Sequence, residues 1–164
     1  SKLSYTNYNE TKYGDINKDG EIEGVIEELK KGEGFSQIAN FAGVFDGKNH
    51  SLCNLYINKN QDEVAFIISN SGTVKNLIVK DGYVKGNMKI AGLVVYNSGT
   101  IENVEGSSNV VAEYYSGGIV YNNSGTIKET IYKGKLENTT GGIPYFQSGQ
   151  RRNSRCKYRK YTKL

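Results

Sequence analysis

Apolar and polar positions along the chain recur with a long period that dominates any shorter one. A small-residue and aliphatic lead-in appears as AFII from Ala65, AGLV from Ala91, GGIV from Gly117 and GGIP from Gly141, at intervals of 26, 26 and 24 residues. Each runs into a polar tetrapeptide, NSGT at Asn70, Asn97 and Asn123, decaying to QSGQ at Gln147. A stretch of the form Thr-aliphatic-x-Asn-aliphatic follows, TVKNL from Thr73 and TIENV from Thr100, continued by TIKET from Thr126 with Glu and Thr in the last two places. Apolar residues alternate within these pieces, as at Val74, Leu77 and Val79, with one skipped step at the Asn. Alternation predicts short strands buried on one face, and the skipped step predicts a bend or bulge between two of them. SLCNLYI from Ser51 fits the same register without an NSGT before it, so 45–58 reads as an earlier turn.

A unit of about 25 residues holding one or two short strands cannot offset its own chain entropy. Stacked, each strand pairs with its equivalent one repeat away. The pattern therefore predicts an all-β parallel β-solenoid of about 4 to 5 turns, each with three strands and three corners, rising about 4.8 Å per turn. Residues 41–149 carry the repeats. Residues 1–40 do not repeat and are read as an N-terminal cap or a junction to a preceding module. At the other end, extending the register puts Arg151 where Val74, Ile101 and Ile127 point inward, and an unpaired buried guanidinium would cost several kcal/mol. This predicts that the strand stack ends by about Gly149, with 150–164 a loose or folded-back tail.

Composition agrees with strands and turns rather than a helical bundle: 20 Gly and 13 Tyr against one Pro and no Trp. No apolar run approaches the ~20 residues of a membrane span. The net charge of +4 misleads, because all four arginines and three lysines lie in the last fourteen residues, leaving −3 for 1–150. A mildly acidic body argues against specific nucleic-acid binding. A body without arginine that then uses four predicts a shifted reading frame or a foreign junction, and a start at Ser1 predicts a missing upstream segment. Cys53 and Cys156 make no disulfide framework or metal spacing with each other or with His50, the only histidine.

The order FAGVFDGKNHSLCNLYIN, AGLVVYNSGTIENV, GGIVYNNSGTIKET resembles the GLUG repeat of large bacterial surface proteins, adhesins and regions beside IgA-cleaving peptidases among them. The family's fourth-position glycine is replaced here by Val94, Val120 and Pro144. The resemblance implies a right-handed β-helix on a secreted or wall-anchored bacterial protein and brings no catalytic residue with it.

Two stretches are candidates for chemistry. The NSGT corner reads first as structure: Asn70, Gly72, Asn97, Gly99, Asn123 and Gly125 as turn residues in left-handed or strained angles, with Asn70, Asn97, Asn123 and separately Asn54, Asn76, Asn103 stacked as amide ladders. Its sharper reading is a sugar site built from Asn97 and Asn123 beside Tyr96, Tyr121 and Tyr145, which precede or overlap the corner in successive repeats. The second stretch is DINKDGEIEGVIEEL. Asp15, Asn17 and Asp19 occupy positions 1, 3 and 5 of an EF-hand-type loop, with Gly20 at the tight turn and the Glu21 carbonyl at position 7. Position 12 is Ile26, with Glu27 one residue late, so an ion-free acidic turn is the rival reading, and calcium is the only cofactor considered. After it, Ile22, Val25, Ile26 and Leu29 have helical spacing, against a strand pair turning at Asp19-Gly20. Glu102, Glu105, Glu113 and Glu129 form no acid cluster of the kind β-helix lyases use, and Asp46 belongs to the FDG turn.

These readings predict a non-catalytic structural or adhesive module, secreted or on the bacterial cell surface. The rivals are a carbohydrate-binding module and an accessory region of a larger peptidase or polysaccharide lyase. The partners considered are a host or cell-surface glycan or protein, and end-to-end self-association through uncapped strand edges.

Overall fold

The computed structural model describes residues 32–137, 144–156 and 159–161. Among them every element is a strand, every ladder between strands is parallel, and the strands stack as a β-solenoid of about four turns. The expected calcium loop, its following helix and most of the expected cap lie outside the described residues.

Each of the first three turns visits four sides. The first runs through β1 (Ile38–Phe41), β2 (Val44–Cys53), β3 (Tyr56–Asn58) and β4 (Glu63–Val64). The next two repeat the circuit with β5 (Ile67–Asn70), β6 (Thr73–Lys80), β7 (Tyr83–Gly86) and β8 (Lys89–Ala91), then β9 (Val94–Asn97), β10 (Thr100–Gly106), β11 (Asn109–Ala112) and β12 (Tyr115–Gly117). In the fourth turn the long second side splits into β14 (Thr126–Lys128) and β15 (Ile131–Tyr132), after β13 (Val120–Asn123) and before β16 (Lys135–Glu137). The fourth side, β4–β8–β12, is short, and the expected three-sided turn missed it because two- and three-residue strands carry no visible alternation.

The interior is built in columns, each a position repeated one turn apart. Val74, Ile101 and Ile127 stack, as do Val84, Val110 and Leu136, and Ile67, Val94 and Val120, all fully or almost fully buried. Where Val79 stands in one turn, Gly106 and then Tyr132 follow. Gly118 is what admits the large ring, since a Cβ there would strike Tyr132, whereas a Cβ on Gly106 would strike Ile119. The buried Tyr132 hydroxyl lies between the carbonyl oxygens of Ser108 (2.9 Å) and Lys135 (3.0 Å), so the polar end of this plug is satisfied.

The stack does not end at Gly149. β17 (Pro144–Gln147), β18 (Gln150–Arg152), β19 (Arg155–Cys156) and β20 (Arg159–Tyr161) form a further rung, with Arg151 opposite Ile127 and Arg155 opposite Ile131. The ladder is made by main-chain groups, which pair whatever side chain they carry. Side chains also help: Ser154 Oγ accepts from the Thr130 N–H at 3.1 Å and donates to the Arg152 carbonyl at 3.0 Å.

The skipped step is a column of left-handed residues. Asn49, Asn76, Asn103, Glu129 and Asn153 have φ of +61, +53, +51, +50 and +50°. Asn76 and Asn103 stack as expected, Asn103 donating to Asn76 Oδ1 at 2.8 Å, but Asn54 is not in their column. The equivalent of TVKNL is Val44-Phe45-Asp46 continued at Asn49-His50, with a bulge between Asp46 and His50. Asp46 Oδ1 holds that bulge, accepting from the Lys48 N–H (2.9 Å) and from Asn76 Nδ2 (3.0 Å). Two extra residues shift the apparent match by one corner, so Asn54, at φ +54°, shares its place with Asp81 at +53° instead.

Candidate functional site

The NSGT corner is folded into the column. Asn70 donates to Asn97 Oδ1 at 2.7 Å and Asn97 to Asn123 Oδ1 at 2.6 Å, with all three residues 0 to 1% exposed. Each amide also reaches its own corner, at the carbonyls of Gly72, Gly99 and Gly125. The Ser98, Ser124 and Ser148 hydroxyls donate to the Asn70, Asn97 and Asn123 carbonyls of the rung before, at 3.2 to 3.3 Å. Contrary to expectation, none of these Asn or Gly residues is left-handed. The glycines serve close approach: a Cβ on Gly72, Gly99 or Gly125 would run into the carbonyl oxygen of Gly43, Gly72 or Gly99 below. Asn97 and Asn123 therefore present nothing to an external sugar.

Nor do the tyrosines form a row. Strand register sets Tyr96 opposite Ser69 and Asn122, whereas Tyr121 lies one residue earlier in its strand. Tyr121 is 5% exposed in a second apolar cluster with Ala65, Ala91 and Val95, and Tyr96 meets its ring edge-on at 6.4 Å. Tyr145 falls within β17, aligned with Tyr121 and not with Tyr96.

Tyr96 instead leans across the outer concave seam between its own strand and the short fourth side. Its hydroxyl donates to Glu63 Oε1 at 2.5 Å and accepts from Lys89 Nζ at 2.8 Å, and Lys89 also donates to Glu63 at 3.1 Å. Glu63 and Lys89 are register partners on β4 and β8, which holds the opposite charges together. The Tyr96 hydrogen bond, then Lys89, lowers the Glu63 pKa, while the Tyr96 hydrogen bond, then Glu63, raises that of Lys89. Burial raises the Tyr96 phenol, with Glu63 adding to it. At neutral pH the three are a carboxylate, an ammonium and a neutral phenol, closed into a triangle.

Beside this triangle lies an open groove of about 500 Å³. Gln37, Gln61, Asp62, Glu63, Met88 and Lys89 line it, with Ile68 from the apolar seam. Gln37 Nε2 ties the near wall to the Glu63 carbonyl at 3.3 Å. One rung above Lys89 stands Tyr115, 40% exposed, with the more exposed Tyr114 ring 6.4 Å from it. Apart from Tyr96, the sequence reading named none of these. Apart from Gln37 and Ile68 they come from QDEVA, NMKIA and EYYSG, the segments flanking each small-residue lead-in, and they differ from turn to turn. A search for repetition passes over what does not repeat.

Among the described residues no cluster of three or more His, Cys, Asp or Glu side chains could hold a metal ion. Glu102 and Glu105 are taken up by Lys128 (3.0 Å) and Lys133 (2.7 Å) one turn on, clasping neighbouring rungs on the outer surface. No described helix is long and apolar enough to cross a membrane. Compared with protein-family models, with curated proteins and with solved structures, the chain matches none.

Proposed function

We propose that the chain is a non-catalytic structural and adhesive module of a bacterial secreted or cell-surface protein, of the GLUG-repeat kind. The observation that carries this reading is the fate of the repeated residues. Asn70, Asn97 and Asn123 are buried and joined amide to amide, so what the sequence repeats is architecture. A parallel column with paired rungs and an interior ladder is stiff along its axis, which suits a part that holds other parts away from a surface.

Two measurements test the reading. An antibody against the chain, applied to fractions of the source bacterium, is expected to find it in the medium or wall fraction, and a cytoplasmic location overturns the proposal. Beads coated with the full chain are expected to be retained on host-cell layers above uncoated beads. Equal retention removes the adhesive half and leaves the spacer.

A further inference from the structure

The outward residues that differ from turn to turn gather at the groove beside Tyr96, and their chemistry is mixed in a particular way. Asp62 and Gln61 are exposed, and among the described residues no side chain pairs with either. Glu63 and Lys89 are held in place by the Tyr96 hydroxyl. The walls thus offer carboxylate acceptors, an ammonium donor and two amides that both donate and accept. Ile68 and Met88 supply apolar contact, and Tyr115 and Tyr114 continue the same side upward as aromatic surface.

We propose that this groove binds a neutral, hydroxyl-rich ligand, one or two sugar rings of a glycan. A pyranose displays hydroxyls that donate and accept at its edge and C–H groups on its face. Asp62 and Glu63 accept from such hydroxyls, Gln37 and Gln61 meet them in either sense, and Ile68 and Met88 face the C–H surface, with Tyr115 one rung above Lys89 to meet a second ring. The volume lies within the range of about 300 to 1,000 Å³ usual for small-ligand sites. Two carboxylates against one ammonium leave the groove with a surplus negative charge, which selects against sialylated and sulfated glycans. Because Tyr96 already fixes Glu63 and Lys89, a ligand meets groups whose side-chain freedom is already lost, which favours binding. The inference rests on the module's placement at a cell surface for its setting, and on the groove alone for its chemistry.

The test is an array of neutral, N-acetylated, sialylated and sulfated oligosaccharides probed with the full chain, followed by calorimetric titration of the strongest binder. Neutral or N-acetylated glycans are expected to bind. Asp62→Ala and Gln61→Ala should each weaken that binding about tenfold, roughly the loss of one good hydrogen bond, while Lys85→Ala on β7 leaves it unchanged. The side chains of Asp62 and Gln61 support no neighbour, while their main-chain carbonyls keep their bonds to Asn87 and Lys89 in the variants, so unchanged melting points will show that these variants remain folded. A blank array, binding confined to acidic glycans, or an Asp62→Ala variant of full affinity would each overturn the proposal. If the coated beads still adhere while the array is blank, the groove assignment alone is wrong. If neither binds, the adhesive reading falls with it.

Discussion

Asn97 donates its side-chain N–H to Asn123 Oδ1 at 2.6 Å although the two stand a full turn apart in the chain, and both are cut off from water. The same Oδ1–Nδ2 relay links Asn70 to Asn97, so Asn97 is the central member of a three-amide chain.

Removing that central member strands both neighbours. Asn97→Ala leaves a buried donor on Asn70 and a buried acceptor on Asn123, each costing about 1 to 3 kcal/mol. Chemical denaturation should show a loss of about 3 kcal/mol. Asn103→Gly, which removes an exposed amide but keeps the left-handed backbone angle, should lose less than about 1 kcal/mol in the same assay, and equal losses would contradict the assignment of the interior ladder.

Gly99→Ala tests close approach rather than turn angle. Its φ is not left-handed, so alanine is tolerated by the local backbone, yet its methyl would overlap the Gly72 carbonyl oxygen. The expected cost is about 1 to 3 kcal/mol from displaced rungs. A Gly99→Ala protein melting with the parent would mean that the rungs are further apart than described.

Glu129 occupies a left-handed position that Asn holds in four other turns. Asn tolerates these angles better than Glu, whose side chain makes no local compensating bond. Glu129→Asn also aligns a new amide with Asn103 and Asn153. The variant should gain about 1 kcal/mol, visible as a rise of about 2 to 4 °C in the melting midpoint; a fall would show that Glu129 has a role outside the backbone.

Acid should weaken the seam through Glu63. Its pKa is depressed by the Tyr96 hydroxyl and Lys89, so its contribution is fully present above the ordinary value of 4.5 and is lost as pH falls through the lower folded value. The raised Lys89 works oppositely, its share being present below 10.5 and lost at still higher pH. Melting midpoints should therefore be flat through neutrality and fall in acid. Glu63→Gln should soften the acid fall, and an unaltered curve would remove the triangle from the account.

Periodicity made the column legible because the fold itself is periodic: a buried position such as Val74 must recur as Ile101 and Ile127 if strands are to stack. Two kinds of feature escaped it. Side chains decide where an apolar pattern stops, but main-chain pairing decides where a ladder stops, so Arg151 did not mark the end. The groove escaped for the opposite reason, since Glu63, Lys89 and Tyr115 share one register position and have nothing in common as residues. Even Tyr96 and Tyr121, which look alike in sequence, differ by one step along a strand, and in a pleated chain that step sends them to different surroundings.

The rungs themselves are unequal. Asn70 to Asn97 spans 27 residues, Asn97 to Asn123 spans 26 and Asn123 to Gln147 spans 24, yet all four residues are in register. Surplus residues are absorbed at bends such as the one at Asp46, and the axial step stays that of a single main-chain hydrogen bond. The molecule thus behaves as a ruler with fixed graduations. Duplicating one unit would lengthen its reach by about 4.8 Å and repeat the same cross-section, while insertions at a bend would change what the graduation displays without moving the mark.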